Sequence, residues 1–231
     1  MLVAIHQPQF LPWLGYLDKI DRADLFVVLD CVQFKKNEWQ NRNRIRTAEG
    51  WQWLTVPVLH RFGQRIMEVR INEQEDWRAK HLRTVDLAYA RAPYRDRYLD
   101  GWRQVYRTRT SMLGEFNVAM LRWLLEAYGI RTPLRLSSEM TLREEPTDRL
   151  IDICRAVGAD RYLAGAGARD YMDMDRFREA GLALEIQAFE HPVHPQCHAP
   201  FVPGMAAIDL LFTTGDDALK HLRSTRREAH A

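Results

Sequence analysis

Three cysteines, Cys31, Cys154 and Cys197, are all that this 231-residue chain contains. They lie far apart and form no CxxC pair, which argues against a disulfide framework or a zinc knuckle. No run approaches the roughly 18 apolar residues that a membrane span needs. The chain enters Leu2-Val3-Ala4-Ile5 with no basic segment ahead of a longer apolar stretch, unlike a secretory signal. A reduced, cytoplasmic setting is the expectation. Charge of one sign is also lacking. The net charge of +2 makes no bulk case for a nucleic-acid binder, and no nucleic-acid groove is expected. GxSxG, Walker A and HExxH patterns are absent, as are internal repeats and low-complexity stretches.

What is present is a globular composition. Apolar residues make up 46% and charged residues 28%, enough for a sizeable core without the signature of disorder. Val3 to Ile5 reads as a buried strand that stops at His6. A loop with two prolines follows, then a helix from Trp13 to Ala23, then the continuous apolar run Leu25 to Leu29, ending at Asp30. Strand, helix and strand in so short a span is the rhythm of a parallel sheet. Trp51 to Val58 and Ile66 to Ile71 alternate like half-buried strands, with Arg61, Phe62 and Gly63 between them, and predict a hairpin. Helices are predicted over Trp77 to Tyr89, Tyr98 to Tyr106 and Met112 to Tyr128, the last closed by Gly129. Further on come a strand at Arg135 to Ser137, a helix capped by Thr147 and closed by Gly158, and strands at Tyr162 to Ala164 and Leu182 to Phe189. A helix follows from Met205 to Phe212.

The fold class expected is α/β: a mostly parallel, Rossmann-like sheet with helices on both faces and a central helical insert. The division expected is an α/β segment over residues 1–75, a helical insert or lobe over 76–130, and an α/β segment over 131–221 that completes the same domain. A flexible tail over 222–231 ends the chain.

Four stretches carry candidate chemistry. His6 closes the first strand, where open α/β sheets bind ligands, and histidine exchanges protons near neutral pH. The bland alternative is that it only ties the loop to the sheet. Asp30 to Arg46 mixes Lys35, Lys36, Arg42, Arg44 and Arg46 with Gln33, Asn41 and Asn43, and adds Phe34 and Trp39 as possible stacking rings. Guanidinium forks and amides suit phosphate or carboxylate groups; a solvated basic turn is the bland alternative. Gly165-Ala166-Gly167-Ala168 follows a strand and could let backbone amides approach a phosphate, but a plain tight turn explains it as well. His191 to His198 gathers three histidines and Cys197. Neighbouring ligands on a proline-stiffened loop rarely close a tetrahedron, so no metal site is assigned. Lys80-His81 reads as an exposed helix face.

Val3-Ala-Ile-His-Gln-Pro-Gln-Phe-Leu-Pro-Trp-Leu-Gly-Tyr16, then Leu29-Asp-Cys-Val-Gln-Phe-Lys-Lys36 and Trp39-Gln-Asn-Arg-Asn-Arg-Ile45, closely resemble the WbqC-like family. Trp51 to Val58, Lys80-His81, Tyr89, Ala92-Pro93-Tyr94, Tyr162 to Gly165, Tyr171, His191-Pro192, Gln196, Phe201 and Ile208 to Phe212 extend the likeness over nearly the whole chain. Cys31, His194 and Met205-Ala206-Ala207 depart from it; at Cys31 an acid is expected, which weakens any two-carboxylate mechanism. The resemblance implies a bacterial biosynthetic enzyme, with surface polysaccharide and glycine transfer as suggested contexts. A looser similarity links the opening to nucleotidyltransferases, although their second histidine is missing.

Together these readings lead to an aminoacyl or acyl transferase, with glycyl as a special case, acting on a small metabolite or nucleotide sugar. His6 is the expected base and Asp30 its orienting acid. Gln7, Trp13, Tyr16, Gln33, Lys36, Trp39, Asn41, Arg42, Asn43, Arg44, Gly165, His191 and Gln196 are the expected substrate contacts. No cofactor is required. The donor would arrive on a carrier protein, an aminoacyl-tRNA or an adenylate. An ATP- and Mg-dependent ligase or nucleotidyltransferase, and a non-catalytic ligand-binding protein, are the alternatives.

Overall fold

The alternation of Leu2, Val3, Ala4 and Ile5 separates two hydrophobic clusters, because successive strand side chains point to opposite faces. Leu2 and Ala4 join Phe26, Val28 and Leu163 in one cluster; Val3 and Ile5 join Leu25, Val27, Tyr162 and Ala164 in the other. A sheet buried on both sides needs helices on both faces, and a computed structural model, which describes residues 1–170 and 172–226, places them there.

The chain begins β1 (Leu2–His6), α1 (Leu14–Arg22), β2 (Leu25–Val28). The hairpin β3 (Arg42–Thr47) and β4 (Gly50–Thr55) follows, then the short β5 (Val58–Leu59) and β6 (Arg70–Ile71). Three helices come next: α2 (Trp77–Ala88), α3 (Arg95–Arg107) and α4 (Leu113–Tyr128). The order then runs β7 (Leu134–Leu136), α5 (Pro146–Val157), β8 (Arg161–Ala164), α6 (Met174–Glu179), β9 (Ala183–Ile186), α7 (Ile208–Thr214) and α8 (Ala218–Arg223). Five strands form one sheet in the order β7-β2-β1-β8-β9, and every pairing in it is parallel. This is the expected Rossmann-like α/β architecture.

The order of the strands decides where a ligand fits. From β1 the chain steps one way to β2 and β7, then returns to the other side of β1 for β8 and β9. α1 packs on the first cluster and α5 with α6 on the second, so the helices change face at the same place. A crevice opens outside the carboxyl ends of β1 and β8, the switch point at which such sheets bind ligands. α2, α3 and α4 share the first cluster with this sheet face, through Trp77, Trp102 and Phe116 beside Phe10 and Phe26.

Several elements differ from the sequence reading. The expected hairpin of 51–58 with 66–71 is replaced by β3 pairing with β4, Arg44 opposite Trp53. Residues 66–68 form a 3-10 turn, and only two residues each of β5 and β6 pair. The end of the Asp30–Arg46 run, for which a basic turn was the bland alternative, is therefore a strand. Its inner face carries Asn43 and Ile45 rather than a row of apolar residues, so the period was hidden. α5 starts one residue before Thr147, and its cap lies two before: Glu145 accepts from Asp148 N, and Pro146 supplies a fixed φ for the first turn. His81 is buried, with Nε2 donating to Thr55 O at 3.1 Å and Nδ1 meeting Tyr106 Oη at 3.0 Å. Burial lowers its pKa to about 4. Within the stretch expected as a flexible tail, Arg223 pairs with Asp21 and Arg226 with both Asp18 and Asp21. Tyr171 and residues 227–231 lie outside the described residues.

Candidate functional site

A cavity of about 640 Å³ occupies the switch-point crevice. His6 and Gln7 reach it from the end of β1, Gln33 and Lys35 from the segment after β2, and Gly165 and Gly167 from the loop after β8. Lys19 rises into it from α1, and Arg149 enters from α5. No carboxylate lines it among the described residues. Lys19, Lys35 and Arg149 face this one cavity with no acid among its described lining residues, which leaves its electrostatic field positive.

His6 is held by a carbonyl. Its Nδ1 donates to Gln7 O at 3.0 Å, and the same oxygen accepts from Tyr16 Oη at 3.1 Å. With the proton on Nδ1, Nε2 keeps its lone pair. The Tyr16 ring lies edge-on to the imidazole at 5.0 Å and fixes its plane. Burial first, and the Lys19 charge second, lower the His6 pKa to about 4, against the weaker pull of the Gln7 carbonyl. The ring is neutral at pH 7, free to accept a proton.

Lys19 escapes a reading of the sequence alone. Every residue from Leu14 to Ile20 of α1 is buried, so the helix has no solvated face to carry a lysine outward. Lys19 is 2% exposed; its Nζ donates to Ile5 O at 2.9 Å and lies 5.9 Å from the Tyr162 ring centroid. The neighbouring Asp18 is committed elsewhere, to Arg22, Arg226 and Gln187. Lys19 therefore has no carboxylate partner among the described residues, and burial lowers its pKa to about 7. The only local hint was its position three residues beyond Tyr16, on the sheet side of the helix. Arg149 and Lys35 complete the cation set, and among the described residues the Arg149 guanidinium donates only to Glu144 O.

The other expected site residues fall in three further places. Asp30 sits at the end of β2, and its partners lie at the β7 junction. It accepts from Ser137 Oγ at 2.8 Å, Ser138 N at 2.9 Å and Ser138 Oγ at 2.7 Å. Its hydrogen bonds are thus made to the turn after β7, not to His6. Replacing Asp30 by alanine is expected to destabilise the fold by roughly 2–3 kcal/mol, since hydrogen bonds to a buried charge are lost together. A urea titration checks this; an unchanged midpoint would contradict the assignment.

The second place is the β3–β4 hairpin. Asn41 and Asn43 are buried and spend their amides on the backbone: Asn41 Nδ2 on Val56 O at 3.1 Å, Asn43 Nδ2 on Leu11 O at 2.6 Å. Trp39, Arg42 and Arg44 gather on the hairpin's outer face. Lys36 is exposed on the loop before it. This face is joined to the cavity rim, because Gln40 Nε2 donates to Gln7 Oε1 at 2.6 Å and Gln40 Oε1 accepts from Lys35 N at 2.8 Å.

The third place is the loop before α7. His194 Nε2 and Gln196 Nε2 both meet Asp209 Oδ2, at 3.0 and 2.7 Å, and His191 stacks on His194 at 5.9 Å. Gln196 also clamps Val202 through its backbone N and O. Trp13 reaches this loop through Phe189, 5.3 Å between rings. The cluster fastens the loop to the first turn of α7. Burial, and then the Asp209 charge, raise the Cys197 pKa, which disfavours a thiolate there. Among the described residues no group of three or more His, Cys, Asp or Glu is arranged to hold a metal.

A five-stranded parallel sheet with helices on both faces and a crevice at its switch point defines a Rossmann-like protein of the doubly wound α/β class. The sequence model of the WbqC-like protein family matches residues 7–221, and the chain belongs to that family. It is 34% identical over 231 residues to uncharacterized protein Rv1507c of Mycobacterium tuberculosis (strain ATCC 25618 / H37Rv), covering 97% of this chain and 99% of that one. No solved structure matches. No helix among the described residues is long and apolar enough to cross a membrane.

Proposed function

We propose that the chain is an acyltransferase whose activated donor carries a phosphate or carboxylate group, with an aminoacyl donor such as glycyl as the favoured case. The supporting observation is the switch-point cavity: three cations, a neutral histidine with a free Nε2, and no carboxylate among the described lining residues. The acceptor is an amine or hydroxyl of a small metabolite or nucleotide sugar. Its nucleophilic atom forms the new bond to the acyl carbon while His6 Nε2 takes its proton. The bond from the acyl carbon to the leaving atom, oxygen in an adenylate or aminoacyl-tRNA and sulfur in a carrier-protein thioester, breaks, and its electron pair departs on a leaving group held by Lys19 and Arg149. His6 then returns its proton to that leaving group. A bound anion favours the charged forms of His6 and Lys19 alike: it raises the His6 pKa toward the working pH and the Lys19 pKa above it. The donor can be carried on an adenylate, a carrier protein or an aminoacyl-tRNA.

The test uses a non-hydrolysable glycyl-adenylate for binding and hydroxylamine as a surrogate acceptor for chemistry. Micromolar binding, worth about 8 kcal/mol, and enzyme-dependent glycyl hydroxamate from glycyl-adenylate are the expected results. His6→Ala should slow hydroxamate formation by about 10²-fold, within the usual range for a lost general base, with ligand affinity held. Binding without hydroxamate would leave a ligand-binding protein. Magnesium-dependent release of pyrophosphate from ATP, which the small-residue loop after β8 could support, would move the assignment to a ligase.

A further inference from the structure

The outer face of the β3–β4 hairpin carries three tryptophans and two arginines that the cavity does not use. Trp39, Trp51 and Trp53 are 37%, 43% and 37% exposed, high for the largest side chain, and they form one patch. Trp39 and Trp53 centroids are 5.7 Å apart, Trp51 and Trp53 5.4 Å. Arg42 lies over Trp53 at 4.2 Å; Arg44 lies between Trp51 at 5.1 Å and Trp39 at 5.7 Å. The strand register enforces the mixture: Arg44 stands opposite Trp53, and Arg42 and Arg44 share a face because they are two residues apart.

Neither guanidinium has an acid. Among the described residues the Arg44 guanidinium donates only to Gly204 O, at 3.2 Å, and the Arg42 guanidinium makes no hydrogen bond or ion pair. The inner edge of each is closed off, its Nε buried and unpartnered. Their remaining N–H groups are left to an outside acceptor. The patch thus offers flat aromatic surface and uncompensated positive charge in alternation along an extended strand. An acidic peptide would use the charge and leave the indoles idle. A neutral sugar would do the reverse. A double helix presents phosphates but hides its bases. An unpaired strand presents both, its phosphates repeating beside its bases.

We propose that this face binds single-stranded RNA at an unpaired end, with bases stacking on the exposed indole surface and phosphates on Arg42 and Arg44. The balanced bulk charge does not oppose this, because the cations that matter are gathered on one hairpin. The loop that follows β1 is tied to the patch, since Phe10 N donates to Trp39 O at 2.9 Å and Gln40 holds Gln7 at the cavity rim. A strand seated on the hairpin would therefore end near the cavity. The surface stands on the hairpin alone; that the strand delivers an acyl group rests on the transfer reading above.

The tryptophans report on their own occupancy. A 12-nucleotide single-stranded RNA is titrated into the full chain at low salt, with indole fluorescence as the readout and the same RNA in duplex form and heparin as controls. Saturable quenching is expected, at least tenfold tighter for the single strand than for either control. Trp53→Ala should weaken it about tenfold through lost stacking. Arg42→Gln should weaken it and flatten the dependence of log affinity on log salt by about 0.7, the share of one phosphate contact. Equal binding of heparin or duplex, or no quenching at millimolar RNA, would overturn the proposal. So would concentration-dependent self-association that shields the indoles, which would assign the face to a second copy. RNA binding without hydroxamate would leave this surface standing and remove the transfer chemistry; hydroxamate without RNA binding would do the opposite.

Discussion

Lys19→Met is expected to melt higher than the parent protein and to lose its anionic ligand. The two effects share one cause. Burial holds the Lys19 pKa at about 7 against its ordinary 10.5. The unfolded chain therefore binds more protons than the folded one between those values, and stability rises with pH from about 7 to about 10.5. Below pH 7 the full penalty stands, on the order of 4 kcal/mol at neutrality. Methionine fills a similar volume, carries no charge, and gives up only the hydrogen bond to Ile5 O. A net gain of about 2–3 kcal/mol follows, or roughly 5 °C in Tm for a chain of this length, and the extra rise in stability above pH 7 disappears. Ligand affinity moves the other way. Removing one partner of a buried charge pair typically costs several kcal/mol, so about 10³-fold in Kd for the glycyl-adenylate analogue is expected. Parent protein should also take up protons as that ligand binds near pH 8, seen by calorimetry in buffers of different ionisation enthalpy; the variant should not. A variant that melts lower and still binds would show that Lys19 serves the fold and not a ligand.

How much of this was legible in the sequence depends on the range of the interaction. β1, α1 and β2 were readable because each is a local pattern: an apolar run, a helical stripe, a second apolar run. The placement of His6 at a strand end followed from them. That β8 lies beside β1 was not readable, because the pairing of Leu2 with Arg161 joins residues far apart in sequence and leaves no local trace. The switch point, and with it the gathering of His6, Gly165 and Arg149, therefore appears only in three dimensions. The amides of Asn41 and Asn43 show the same limit. By residue type they suit a ligand, and only the tertiary contacts show them bonded to Val56 O and Leu11 O. Lys19 was invisible for the converse reason: a lysine on a helix is solvated by default, and the burial of α1 on all sides is a property of its neighbours.

Arg46 ties the hairpin to the rest of the molecule, and Arg46→Met is expected to cost about 3 kcal/mol, because several hydrogen bonds from one charged group are lost together. Arg46 is 1% exposed. Its Nη1 donates to Thr47 O and Gly50 O within the turn; its Nη2 donates to His198 O at 2.9 Å and Pro200 O at 2.8 Å. A guanidinium stays charged inside a protein, and here four carbonyl dipoles are its solvation. Methionine keeps much of the stem's packing but leaves all four carbonyls without the guanidinium that joins the two segments. Lysine keeps the charge, yet its three donors radiate from one atom and cannot span two segments as a planar fork does. Arg46→Lys should therefore fall between parent and methionine. The loss should appear first as local opening, with faster amide exchange in β3 and β4 and in the loop from His198 to Pro200, before global melting moves by about 10 °C. The consequence for binding separates the two surfaces. Arg44 and Trp51 lie on the strands that Arg46 pins, so single-stranded RNA should bind more weakly to the variant. The switch-point cavity is lined from β1, β8, α1, α5 and the segment after β2, none of which Arg46 contacts, so the glycyl-adenylate analogue should bind as before. Loss of both together would place the hairpin and the cavity in one cooperative unit.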